Sequence, residues 1–200
     1  MSVGILVVVV GAVLFGVLVI AAIAIYNRLV RLRNRYKNAY SQIDVQLKRR
    51  HDLIPNLVTA AKAYLSHERE TLEAVVQARG NAVGAADRAR QSPGSAPAMQ
   101  ALAASESVLS GALSRLLVVA EAYPDLKAQG TISELSEDLR STENKISFAR
   151  QAYNDAVTEY DNGRDAFPAV LFAGAFGFAP AALLQSIDSA EERQAPKIVL

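Results

Sequence analysis

At 200 residues the chain has room for one domain and an appendage. It contains no cysteine, which excludes disulfides, thiolate metal sites, a cysteine nucleophile and a lipidated cysteine anchor. With 21 basic and 20 acidic side chains the net charge is +1, so the molecule as a whole is not a polyanion binder and no nucleic-acid partner is expected.

From Val3 to Ile25 no charged residue occurs, and nearly every position is Val, Ile, Leu, Ala, Gly or Phe. About 20 such residues cross a bilayer as a helix that satisfies its own backbone. Tyr26 follows, at the depth where amphipathic aromatics anchor. Then come Arg28, Arg31, Arg33, Arg35 and Lys37, with no acid before Asp44. The positive-inside rule places this flank, and the domain after it, in the cytoplasm and the N-terminus on the outer side of the membrane. Ala22-Ile23-Ala24 resembles a signal-cleavage site. The missing basic n-region and the length of the apolar run favour an uncleaved single-pass anchor over residues 1–27. Directly after an anchor, the basic run suits anionic lipid better than nucleic acid; a solvated helix face is an equal reading.

After Tyr26 the periodicity is helical throughout. A first seam runs Leu29, Leu32, Tyr36, Ala39, Ile43, Leu47. A second runs Val58, Ala61, Leu65, Leu72, Val75, Ala82, Ala86, Ala89, and the same spacing puts Glu68 and Arg79 on its face. A third runs Leu102, Leu109, Leu113, Leu116, Ala120, Tyr123. The clearest alternates steps of three and four from Ile132 through Leu139, Thr142, Ile146, Tyr153, Tyr160 and Gly163 to Phe167, as a bundle seam does. The loop Gln91–Pro97 holds two prolines and a glycine, Tyr123-Pro124 ends the next helix, and Thr131 with Glu134 has the capping-box pattern. Pro55 marks either a kink or a turn. The lengths favour a turn, giving an all-α, antiparallel up-and-down bundle of four helices at about 28–52, 56–91, 98–123 and 131–167.

Ala166 to Ile187 carries no charge but several Phe, Pro and Gly residues. We expect residues 168–187 to pack on the bundle or lie at the membrane interface rather than span it. Asp188 to Leu200 reads as a polar tail.

No catalytic constellation, cofactor site or metal site is found in the sequence. His67-Glu-Arg-Glu-Thr71 fails the zinc motif at its fifth position. Neither His51 nor His67 has Glu three residues before it, so both are expected on the surface. There is no phosphate-binding loop and no nucleophile elbow. A polar residue on a seam can set register between helices. Glu68 and Arg79 meet that condition. With the helix surface from Gln42 to Leu57, which carries Gln42, Asp44, Gln46, Arg50, Asp52 and Pro55, they form the candidate contact or register-setting region; ordinary intramolecular packing is the reading the apolar seams favour.

Several blocks resemble one family. They are Tyr26-Asn-Arg-Leu-Val-Arg-Leu-Arg33, Gln42-Ile-Asp-Val-Gln-Leu-Lys-Arg-Arg50, Asp52-Leu-Ile-Pro-Asn-Leu-Val58, His67-Glu-Arg-Glu70 and Ala120-Glu-Ala-Tyr-Pro-Asp-Leu-Lys127. Glu143-Asn144, Arg150, Tyr153-Asn154, Phe167-Pro168 and Phe176-Gly-Phe178 complete the set. Together these are similar to the LemA proteins. The resemblance implies a bacterial single-pass membrane protein with a helical bundle and no established enzymatic activity. It also implies a scaffolding or accessory role beside a membrane peptidase or another membrane protein. The anchor, the seams and the missing catalytic constellation point by themselves to an interaction protein that acts through self-association or a membrane partner, with an accessory subunit of a membrane protease or an anionic-lipid binder as the alternatives. The apolar stretch Ala179-Pro-Ala-Ala-Leu-Leu184 departs from the charged continuation usual in that family.

Overall fold

The computed structural model describes residues 3–65, 67–123 and 130–185. Pro124 and the polar tail from Asp188 lie outside the described residues. The apolar run and the basic flank form one helix, α1, Val3–Lys62. Its 60 residues make a rod of about 90 Å at 1.5 Å per residue. Pro55 lies inside it, so the chain does not turn there. The turn comes after Lys62, where Tyr64 and Leu65 both donate to the Ala61 carbonyl and Glu68 donates to that of Leu65. Helices α2 (Arg69–Gln91), α3 (Ala96–Glu121) and α4 (Gly130–Asp165) follow, with a single turn, α5 (Val170–Ala173), in the tail.

Cross-helix pairs give the directions. Arg35 meets Glu159 and Arg50 meets Glu143, so α4 descends as α1 rises. Asp44 meets Arg90 and the His51 carbonyl meets Arg79, so α2 also descends. With α3 antiparallel to α2, the bundle runs up, down, up, down. The main packing pairs are α1 with α4, α2 with α3, and α1 with α2. Helix α3 is long and apolar enough to cross a membrane, but its seam residues Met99, Leu102, Leu109, Leu113 and Leu116 are buried in the bundle.

Two hydrophobic cores result. The one nearer the apolar run of α1 gathers Leu29, Tyr40, Leu47, Ala89, Leu102 and Tyr153 with their neighbours. The other gathers Ile54, Leu65, Val75, Leu113, Ile132 and Leu139. The α4 seam is buried or half-buried from Ile132 to Gly163. A Cβ on Gly163 would stand 2.6 Å from Leu32 Cδ1, so hydrogen is what lets α4 approach α1. The seam stops short of Phe167, which is 81% exposed. Pro168 disfavours helix at the residue before it, and α4 ends at Asp165.

The tail then folds back as a strap. Ala169, Ala173, Phe178 and Leu184 join the first core. Polar side chains of α4 bind its backbone: Tyr160 donates to the Ala179 carbonyl and Tyr153 to that of Ala182, both at 2.7 Å. The Asn154 amide donates to the Leu184 carbonyl and accepts from the Leu184 N–H. Asp161 accepts from the Ala181 N–H. The Ala182 N–H donates to Gly94 in the α2–α3 turn. Gly94 needs its missing side chain twice over. Its φ is +86°, and a Cβ would lie 3.1 Å from the Tyr36 ring and 3.2 Å from Ala181.

Asn154→Ala leaves both Leu184 backbone groups without their partner and should cost about 1–3 kcal/mol in urea unfolding; an unchanged midpoint would show that the strap contributes nothing to stability. Burial raises the phenol pKa values of Tyr36, Tyr40, Tyr153 and Tyr160 above the ordinary 10.0. A raised folded-state value means that stability is complete below pH 10 and declines as the unfolded chain sheds those protons. Alkaline titration followed by tyrosinate absorbance should therefore show a late fraction that ionises together with loss of helical circular dichroism. Simple titration of all tyrosines near pH 10, with the helix intact, would contradict this.

Candidate functional site

Between the two cores lies a polar layer, and one of its contacts follows from a proline. In a regular helix the N–H of residue 55 would donate to the carbonyl of residue 51. Pro55 has no N–H, so the His51 carbonyl loses its intrahelical donor. Arg79 of α2 replaces it, with Nε 2.6 Å from that oxygen. The helix therefore passes through Pro55 without an unpaired buried carbonyl.

The side chains beside this point tie in the other two helices. His51 and Arg50 are both 4% exposed. His51 Nε2 lies 2.8 Å from Glu106 Oε1 on α3. A carboxylate only accepts, so that ring nitrogen carries the proton. Arg50 Nη1 faces Glu106 Oε2 at 3.3 Å and Glu143 Oε2 of α4 at 2.9 Å, and its Nη2 donates to Ser110 Oγ at 2.7 Å. Thr142, also fully buried, donates to the carbonyl of Asp138. All four helices of the bundle meet here, and one buried guanidinium stands against two carboxylates. Ser110 Oγ receives a hydrogen bond from a cation, which holds it as an acceptor and does not activate it as a nucleophile. Among the described residues no group of three His, Asp or Glu is placed to hold a metal ion.

The structure separates the residues singled out in the sequence. Arg50 and Arg79 belong to the layer, and Pro55 acts through the carbonyl it orphans while its own ring is exposed. Asp44 is half-buried, and both its oxygens face Arg90 Nε, at 2.9 and 3.1 Å. Asp44, Asp52 and Arg79 line a groove of about 410 Å³ between α1 and α2. Gln42 is exposed, Gln46 is half-buried, and Glu68 opens α2 without a side-chain capping bond. His67 is exposed as expected, whereas His51 is not a surface residue. Glu106 was missed, although it sits in the gap of the third seam between Leu102 and Leu109, where a charge signals a buried partner. In the basic flank Arg28, Arg31, Arg35 and Lys37 are exposed, Arg35 pairs with Glu159, and Arg33 lies over the Phe178 ring at 5.0 Å.

Residues 39–199 match the LemA family, a span that contains the whole layer and the strap but not the apolar run of α1. This chain belongs to the LemA family. It is also similar to the magnetosome proteins MamQ 1 and MamQ 2 of Paramagnetospirillum magneticum. Each is 27% identical over 151 residues, covering 68% of this chain and 56% of the relative. The LemA-type chain thus spans little more than half the length of those two proteins.

Arg79→Met orphans the His51 carbonyl and should cost about 1–3 kcal/mol. Pro55→Ala restores an N–H for that same oxygen. The loss caused by Arg79→Met should therefore shrink in the Pro55→Ala background, giving a coupling of about 0.5–3 kcal/mol in a double-mutant cycle; strict additivity would refute the linkage. Glu106→Ala removes the acceptor of buried His51 Nε2 and one of the two carboxylates that face Arg50, and should cost about 1–3 kcal/mol, read as a lower urea midpoint.

Proposed function

We propose that this LemA-family chain is a non-enzymatic, membrane-anchored scaffold. The observation that carries this reading is that the candidate span and the first helix of the bundle are one uninterrupted helix. A helix without a break joins the bundle to the membrane that the apolar run enters with no flexible linker, leaving only gentle bending between them. The basic flank after Tyr26 favours an N-terminus outside and a cytoplasmic bundle in a bacterial cell membrane. The layer at Arg50 and His51 supports a structural role, because its polar groups are spent on one another and on fixing the helices.

A scaffold acts through contacts, and self-association is the contact we favour. Val45 on α1 and Phe148 on α4 are 58% and 74% exposed on two helices that pack together. The likeness to proteins named for the magnetosome supports a part in an assembled structure. Native mass spectrometry of the full-length protein in nanodiscs should give a discrete homo-oligomer, and Val45→Ser with Phe148→Ser should shift it toward monomer. A monomer that co-purifies with one membrane protein, a peptidase for instance, would replace self-association with an accessory role.

A further inference from the structure

The strap has a second face that the bundle does not cover. Its inner side, Ala169, Ala173 and Phe178, is buried in the first core. Its outer side presents Phe167, Val170, Leu171 and Phe176 at 81, 49, 66 and 44% exposure. No charged residue occurs between Ala166 and Ile187. Four large apolar side chains within residues 167–176, two of them on α5, are more than scattered surface hydrophobics.

Their height in the fold identifies what covers them. As α4 descends, Glu159 stands opposite Arg35 and Gly163 against Leu32. The chain then continues in the same direction, until Phe176 meets Tyr26 edge-on at 5.6 Å and Phe178 meets it at 5.5 Å. Tyr26 directly follows the charge-free run that ends at Ile25. The exposed turn therefore lies level with the end of the apolar run, and is continuous with it through the Tyr26 contact. Arg28 and Arg31, both exposed, stand at the same level. Aromatic and aliphatic side chains with cations beside them are the composition of a surface that lies in the headgroup–acyl boundary.

We propose that residues 167–176 form a second membrane contact, an apolar lobe that dips into the leaflet from which α1 emerges. It rests on the reading of α1 as a membrane span. Two attachments instead of one would stop the bundle from swinging about the exit of α1, since the lobe and the helix enter the same boundary side by side.

The chain has no tryptophan, so a single introduced one reports its own depth. Leu171→Trp and Phe167→Trp replace exposed side chains and leave the buried face intact. Phe15→Trp in the apolar run and Val118→Trp on exposed α3 serve as references. Each full-length variant is reconstituted into two sets of anionic liposomes, one carrying lipid brominated near the headgroup end of its acyl chains and one near the methyl end, which reaches position 15 at mid-span. Expected are a blue-shifted emission and loss of most of the signal to bromine at positions 171 and 167, and neither at 118. If position 15 is quenched while 171 and 167 keep water-like emission open to iodide, the anchor stands and the lobe proposal falls. Emission shielded from both bromine and iodide would assign the lobe to a second copy of the chain, which also overturns it. Loss of quenching at position 15 itself would remove the span and the proposal together.

Discussion

A proline inside a packed helix leaves one carbonyl without its donor, and in α1 the rest of the bundle is arranged around that vacancy. The cost of an interior proline is about 3 kcal/mol, part of it the missing hydrogen bond. Arg79 supplies a substitute from α2 and is thereby fixed against residue 51. The side chain of the same residue reaches Glu106 on α3, and its neighbour Arg50 reaches Glu106, Ser110 and Glu143. Three needs within six residues of α1 thus tie down Arg79 on α2, Glu106 and Ser110 on α3, and Glu143 on α4. A helix turn at Pro55 would have dissolved all of them.

Why a polar layer stands between two apolar cores follows from the side chains on α2. Its buried face is Ala78, Ala82, Ala85, Ala86 and Ala89 along most of its length. Alanine gives close approach but few protrusions, so neighbouring registers along α1 would bury similar area. The bond from Arg79 to the His51 carbonyl admits no such tolerance, because a shift of α2 by one turn would leave that oxygen without a donor. The layer therefore supplies register where packing supplies little. On α4, where tyrosines and isoleucine protrude, close fit does that work, as between Gly163 and Leu32.

The seams were legible because each is local: spacing along one helix decides which face is buried. Ile132 to Gly163 illustrates it, and so do Leu102 to Leu116. What was not legible depends on a partner far away in sequence. Pro55 reads as a turn until Arg79 is seen at its orphaned carbonyl. His51 reads as a surface residue until Glu106 stands opposite. The strap gave one overlooked hint: Tyr153 and Tyr160 lie on a buried seam, and a buried phenol needs an acceptor. Those acceptors are the carbonyls of Ala182 and Ala179, on a segment whose extended course no periodicity announces.

The strap also changes what α1 can do mechanically. Without it, the bundle would be joined to the apolar run only through a single helix near Tyr26, free to bend gently there. With it, Phe178 and Phe176 bracket Tyr26, Arg33 lies on the Phe178 ring, and Ala182 is bonded to the α2–α3 turn. The base of α1, the end of α4 and the α2–α3 turn are thereby closed into one ring of contacts. Bending α1 at its base would have to break aromatic packing and backbone hydrogen bonds together.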